Sequence, residues 1–162
     1  MEGKLAAESR SVLVHWMGIL DANSAGNVHG GTVLKLADEV AGLAAMRHSK
    51  RRVVTAGVDR VTFLVPIQIG ELVTLSASVN AVWRTSMEIG VRVTAERPGH
   101  SEPHHTNTAY FTMVALDEEG RPCQVPPLIA EDATERRRER EAQTRRRNRL
   151  AERQQIVKER SA

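Results

Sequence analysis

Several things are scarce in this 162-residue chain, and each scarcity excludes something. There is one cysteine, Cys123, so no internal disulfide can form and the reading is a reducing, cytoplasmic setting. PCQVPP gives that thiol no evident activating base, so it reads as a small apolar filler. Aromatics make up only 3%, so a core built from a 41% hydrophobic chain must be aliphatic. No run of 18 or more apolar residues is present, which argues against a membrane span. MEGKLAAESR lacks the apolar segment of a signal peptide. Neither a GxSxG nucleophile elbow nor a Gly-Lys-Ser/Thr phosphate loop occurs. HSEPHH has adjacent histidines whose side chains diverge in a strand and no matching Cys or acid pair, so no metal is expected.

What is present divides into three zones: a polar leader over residues 1–10, a globular domain over 11–130, and a charged helical tail over 131–162. The formal charge of +3 conceals an asymmetry. Residues 134–160 hold 11 Lys/Arg and 5 Glu, whereas the rest holds 12 Lys/Arg and 15 Asp/Glu. The tail has no Pro or Gly, Thr134 can cap its start, and its mixed Glu/Arg pattern suits a solvated or interacting helix better than a nucleic-acid arm.

Within the domain, SVLVHWMGI (11–19) reads as an edge strand. A helix from Gly30 or Gly31 to about His48 carries apolar residues on every side, the pattern of a buried helix. Four β-like runs follow: VVTAGVDRVTFL, ELVTLSASVNAVW, SMEIGVRVTAE and NTAYFTMVALD. In the third, Met87, Ile89, Val91 and Val93 alternate with Glu88, Arg92 and Thr94. One buried helix followed by long antiparallel strands predicts an α+β domain, a sheet wrapped around that helix.

Chemistry concentrates in GNVHGGTVLKLADEVAG (26–42). Gly30 and Gly31 would leave backbone N–H groups unobstructed at the positive end of the helix, suited to an anion or a polarised carbonyl oxygen. Asp38 sits inside an apolar helix, where an unpartnered charge is costly. Gly42 leaves space one turn beyond it. Asn27, in the turn, can orient a carbonyl or a water. Together an amide, backbone donors and a carboxylate could stabilise an oxyanion and take a proton from water. A salt bridge from Asp38 to Lys35 or to another chain, with Glu39 facing solvent, is the plainer alternative. His29 is a rival base, or simply a hydrogen bond to its own turn.

DANSAGNVHGGTVLKLADEVAGLAAMRHS, followed by VVTAGVDRVTFLVPIQIGELVTLSA, resembles the hotdog-fold acyl-coenzyme A thioesterases, most nearly the cytosolic acyl-CoA hydrolases. QVPP and the charged tail fit the same family. The resemblance implies a hotdog fold, hydrolysis of acyl-CoA to fatty acid and coenzyme A, and no cofactor. It implies a homodimer with two composite sites, each pairing Asn27 of one subunit with Asp38 of the other, and a trimer of dimers beyond that. It also implies coenzyme A contacts at Arg84, Thr85 and Ser86. Ala37 stands where relatives often carry a bulkier residue, which would widen the acyl tunnel. Competing readings are a hotdog hydroxyacyl dehydratase using His29 and Asp38, and an acyl-CoA sensor whose tail binds nucleic acid.

Overall fold

The computed structural model describes residues 1–161. Its centre is a five-stranded antiparallel sheet in the order β2-β4-β5-β6-β3, made of β2 (Ser11–Trp16), β3 (Arg52–Val58), β4 (Leu72–Val82), β5 (Ser86–Glu96) and β6 (His104–Leu116). The sheet curls because its long strands bulge. Register shifts leave Ala56, Asn80 and Thr106 as extra residues in β3, β4 and β6. Helix α2 (Gly30–Ser49) lies in the concave face.

The sheet-facing stripe of α2 is built from small residues. Ala37, Val40, Ala41, Ala44 and Ala45 are all fully buried, which lets the helix axis approach the strands closely. Opposite them stand Val73, Leu75, Met87, Ile89, Val91, Phe111 and Met113. Ala37 therefore serves the packing of helix on sheet. The other face of α2 is open in this chain: Leu34 is half-buried, and Leu43 and Met46 are about two-fifths exposed. The expectation of a helix buried all round thus holds for one face only. The run 53–64 is likewise strand only as far as Val58, and residues 59–65 continue as irregular backbone.

The first ten residues belong to the fold. β1 (Lys4–Leu5) pairs in parallel with β7 (Leu128–Ile129), and the short helix α1 (Ala6–Ser9) buries Ala6 and Ser9. Ser9 Oγ accepts from the Val79 N–H at 2.9 Å, fastening α1 to the sheet.

The tail forms α3 (Ala133–Arg160), capped by Asp132, whose carboxylate accepts from the Glu135 N–H at 2.7 Å. Thr134, the cap expected from sequence, is already inside the helix. α3 crosses the convex face of its own sheet. Contacts run from Arg10 ahead of β2 (Glu135, 3.2 Å), through Glu88 of β5 (Arg145, 2.6 Å), to Asp59 after β3 (Arg149, 2.8 Å). Glu88 alternates to the convex face as expected, yet it is fully buried because α3 covers it.

Candidate active site

The loop ahead of α2 is tied by short polar links. Asp21 Oδ2 accepts from the Gly18 N–H at 2.8 Å and meets His15 Nε2 at 3.1 Å. The backbone hydrogen bond from Gly18 is the main cause holding the Asp21 carboxyl below its ordinary range, with partial burial opposing it and His15 assisting. Asn23 Oδ1 accepts from the N–H groups of Ala25 (2.9 Å) and Asn27 (3.2 Å), an Asx turn completed by Gly26 at φ 84°. The Asn23 N–H in turn donates to the Asn27 carbonyl at 2.7 Å. Both amides are half-buried. Asn27 also bridges backbone to backbone with Gln68, and Val28 donates to the Ile67 carbonyl at 2.8 Å.

At the helix start, His29 Nδ1 accepts from the Gly31 N–H at 2.9 Å. This corrects the expectation that Gly31 offers a free donor. Its N–H is consumed by the N-cap, and His29 is engaged as a cap. The Gly30 N–H has no partner among the described residues. A Cβ at Gly30 would sit 3.3 Å from the tip of the Phe63 ring, so a larger residue here would press the ring aside.

Asp38 is half-buried in the middle of α2, and the Thr55 hydroxyl of β3 donates to its Oδ1 at 2.5 Å. Lys35 pairs with Glu39 at 3.8 Å and not with Asp38, whose hydrogen-bond partner among the described residues is Thr55. A Cβ at Gly42 would meet nothing within 4 Å, leaving the backbone open beyond the carboxylate. β3 is an edge strand. On α2 and β3 beside the Asp38–Thr55 pair, Leu43, Met46, Val54 and Val58 are more than two-fifths exposed. So are Phe63 and Leu64 toward the other end, where Phe63 faces Gly30 and the Leu64 N–H donates to the Thr106 carbonyl at 3.1 Å.

Arg84, Thr85 and Ser86 form the β4–β5 turn, locked by Trp83 N–H to Ser86 O (2.8 Å), Ala115 N–H to Thr85 O (3.0 Å) and Val125 N–H to Arg84 O (3.1 Å). Register places Met87 beside Met113 and Met113 beside Thr55, so this turn lies toward the Asp38 end of the sheet. The Asn23–Gly31 loop adjoins Ile67 and Gln68 just before β4, at the other end. One chain therefore brings Asp38 together with Thr55, and it holds the asparagine loop apart from them.

Residues 25–101 match the family profile of the Thioesterase superfamily. An acyl-CoA hydrolase from Staphylococcus aureus, solved with butyryl coenzyme A, coenzyme A and coenzyme A disulfide, superposes with a TM-score of 0.87 at 31% identity. The match covers 98% of this chain and 99% of that one.

The chain belongs to the thioesterase superfamily.

A hexameric acyl-CoA thioesterase, solved without ligand, superposes with a TM-score of 0.90 at 34% identity, covering 94% of this chain and 97% of that one. The human cytosolic acyl coenzyme A thioester hydrolase is 40% identical over 139 residues, covering 85% of this chain and 37% of that protein. The chain thus spans a little over a third of the length of this curated relative.

Further structures of the Staphylococcus aureus enzyme carry alanine in place of an asparagine, an aspartate and a threonine. In that enzyme the asparagine stands fifteen residues before the aspartate and the threonine seventeen after it. Asn23, Asp38 and Thr55 have the same two spacings in this superfamily member, whereas Asn27 stands eleven before Asp38. Sequence reasoning missed Asn23 and Thr55. Thr55 carries no local signal, being a threonine in a strand. Asn23 carries one, because an asparagine three residues ahead of a glycine marks an Asx turn.

Proposed function

We propose that this chain hydrolyses acyl-coenzyme A thioesters to a free carboxylic acid and coenzyme A. The observation that carries this is the Asp38–Thr55 hydrogen bond on an exposed sheet edge, at the spacing of the residues altered in the Staphylococcus aureus hydrolase. Asp38 is the general base and the Thr55 hydroxyl holds one of its oxygens, leaving the other to take a proton from the attacking water. The Asn23 side-chain amide and the Gly30 N–H are the donors for the developing oxyanion, at the positive end of α2. A thiol of pKa about 8.5 departs as thiolate without a strong general acid. Arg84, Thr85 and Ser86 are the proposed contacts for coenzyme A, with Arg84 on phosphate.

The active unit is a homodimer. The apolar face formed by the open side of α2, edge strand β3 and residues 59–65 supports a partner there, since a patch of this kind on a monomer marks an interaction surface. Each site then combines Asp38 and Thr55 of one subunit with Asn23 and Gly30 of the other, which is why a carboxylate sits on this helix. The hexameric neighbour supports a trimer of dimers. The name of the human relative supports a cytosolic setting. Among the described residues, no helix is long and apolar enough to cross a membrane.

Thiol release from acyl-CoA substrates of graded chain length tests the reading. Asp38→Asn should lower turnover about 100-fold or more. Turnover within about threefold of the parent would remove Asp38 as the base. Asn23→Ala should lose activity while Asn27→Ala keeps most of it, and the reverse result would return the amide role to Asn27. Co-expressing Asn23→Ala with Asp38→Ala should restore one working site per mixed dimer. No recovery in proven heterodimers would place both residues in a site within one subunit.

A further inference from the structure

On the convex face, away from α2 and Asp38, a groove of about 410 Å³ runs between the β2 edge and the first half of α3. Ser76 and Ser78 of β4 line it, with four arginines from three parts of the chain. These are Arg10 before β2, Arg92 on β5, and Arg137 and Arg138 on α3. Two of them are matched: Arg10 meets Glu135 at 3.2 Å and Arg137 meets Glu141 at 2.6 Å. Among the described residues, Arg92 and Arg138 have no acidic partner, and Glu141, already paired, is the only acid in the lining.

Two guanidiniums without acidic partners beside a row of hydroxyls leave positive charge and donors for an anion to use. Guanidinium forks and serine hydroxyls are all donors toward an oxyanion, and arginine favours phosphate because its planar N–H pairs match two oxygens at once. The volume lies within the usual range of small-molecule sites, about 300–1,000 Å³. We propose that this groove binds a phosphate-bearing small molecule, with the phosphate between Arg92 and Arg138 and hydrogen bonds from Ser76 and Ser78. Such a ligand bridges α3 to the sheet, so its occupancy fastens the tail helix. The site lies on the opposite face of the sheet from the proposed thioester chemistry and is separate from the Arg84 turn.

Pyrophosphate is the probe, titrated calorimetrically into the full-length protein, with inorganic phosphate and sulfate as comparators. Binding is expected in the order pyrophosphate, then phosphate, then sulfate, with a matching rise in melting temperature. Arg92→Gln and Arg138→Gln should each weaken it about tenfold, the loss of a charge-assisted hydrogen-bond pair. Both side chains are exposed, so the unliganded melting temperature and acyl-CoA turnover of the double variant should match the parent. Arg84→Gln should retain pyrophosphate binding. The proposal is overturned if pyrophosphate does not bind at millimolar concentration, if the double variant binds it unchanged, or if Arg84→Gln alone abolishes binding.

Discussion

α2 and α3 lie against opposite faces of one sheet and are held there by opposite chemistry. α2 sets five fully buried alanine and valine side chains against aliphatic strands, an attachment that is apolar and close-packed. α3 buries one alanine, Ala142, and is otherwise fastened by charge. Glu88 receives Arg145 Nη2 at 2.6 Å and Nε at 3.1 Å, and Arg149 at 3.8 Å. Arg145 also stacks 3.6 Å over the Tyr110 ring, and Arg146 lies 4.4 Å over Trp83. Burial pulls the Arg145 guanidinium downward, but the hydrogen bonds and charge of Glu88 outweigh it and the net shift is upward. Asn80 completes the cluster, donating to Glu88 Oε1 at 3.1 Å. It lies over Gly90, where a Cβ would come within 2.6 Å of its amide. An apolar attachment shares the cooperative core of the domain. A charged one can be released while the core stays folded.

The largest effect should come from the α2 side. Ile89 is fully buried on the concave face of β5, so Ile89→Ala should cost about 2–5 kcal/mol of global stability. Urea unfolding should show a lower midpoint with unchanged slope, and α2 and the strands should unfold together. A loss under about 1 kcal/mol would mean that the core under α2 is loosely packed, and the contrast between the helices would weaken.

An intermediate effect should come from Arg145→Ala. The bidentate bond to Glu88 should contribute about 1.5–3 kcal/mol to docking of α3. Removing an arginine that leaves a carboxylate trapped would cost more, about 3–5 kcal/mol, but α3 can lift and let water reach Glu88. Trypsin should therefore clip the arginine-rich tail faster while residues 1–130 melt nearly as before. A high salt concentration should accelerate clipping of the parent in the same direction and leave the Ile89→Ala deficit unchanged. A fall in the main melting transition as large as that of Ile89→Ala would show that α3 belongs to the same cooperative unit.

The same contrast explains which parts were legible in sequence. α2 and the long strands were readable because burial against a sheet imposes periodicity, and Met87, Ile89, Val91 and Val93 show it directly. The attachment of α3 was not readable, because its partners are charged and distant. Glu88 alternates outward like any solvent-facing acid, and the side chain that buries it comes from Arg145, 57 residues later. The leader looked solvated for a related reason: Ala6 and Ser9 enter the fold between polar neighbours. At the candidate site, Asp38 stood out as a charge among apolar residues, and Thr55 could be found only once the sheet set β3 beside the helix. Asn27 drew attention by its nearness to the glycines, while Asn23, which organises the turn, looked like an ordinary loop residue.

The smallest effect should come from a buried titratable group at the end of the apolar helix. His48 is fully buried at the C-terminal end of α2, where its Nε2–H donates to the Pro126 carbonyl at 2.9 Å. Its Nδ1 is buried with no hydrogen-bond partner among the described residues, so a second proton would place a charge and a donor where nothing accepts them. Burial accordingly lowers the His48 pKa below its ordinary value of 6.5, although the Pro126 bond opposes the shift. The unfolded chain then binds the proton more readily than the folded one. The stabilisation is fully present above pH about 6.5 and is lost progressively as pH falls toward the lowered value, each tenfold difference in proton affinity between the two states amounting to about 1.4 kcal/mol. His48→Gln can keep a donor toward Pro126 and cannot titrate, so its urea midpoint should stay flatter than the parent's between pH 7 and 5. Parallel slopes for the two proteins across that window would remove His48 as the source, and the acid sensitivity of the domain would pass to carboxylates such as Asp21, whose lowered pKa acts at more acidic pH.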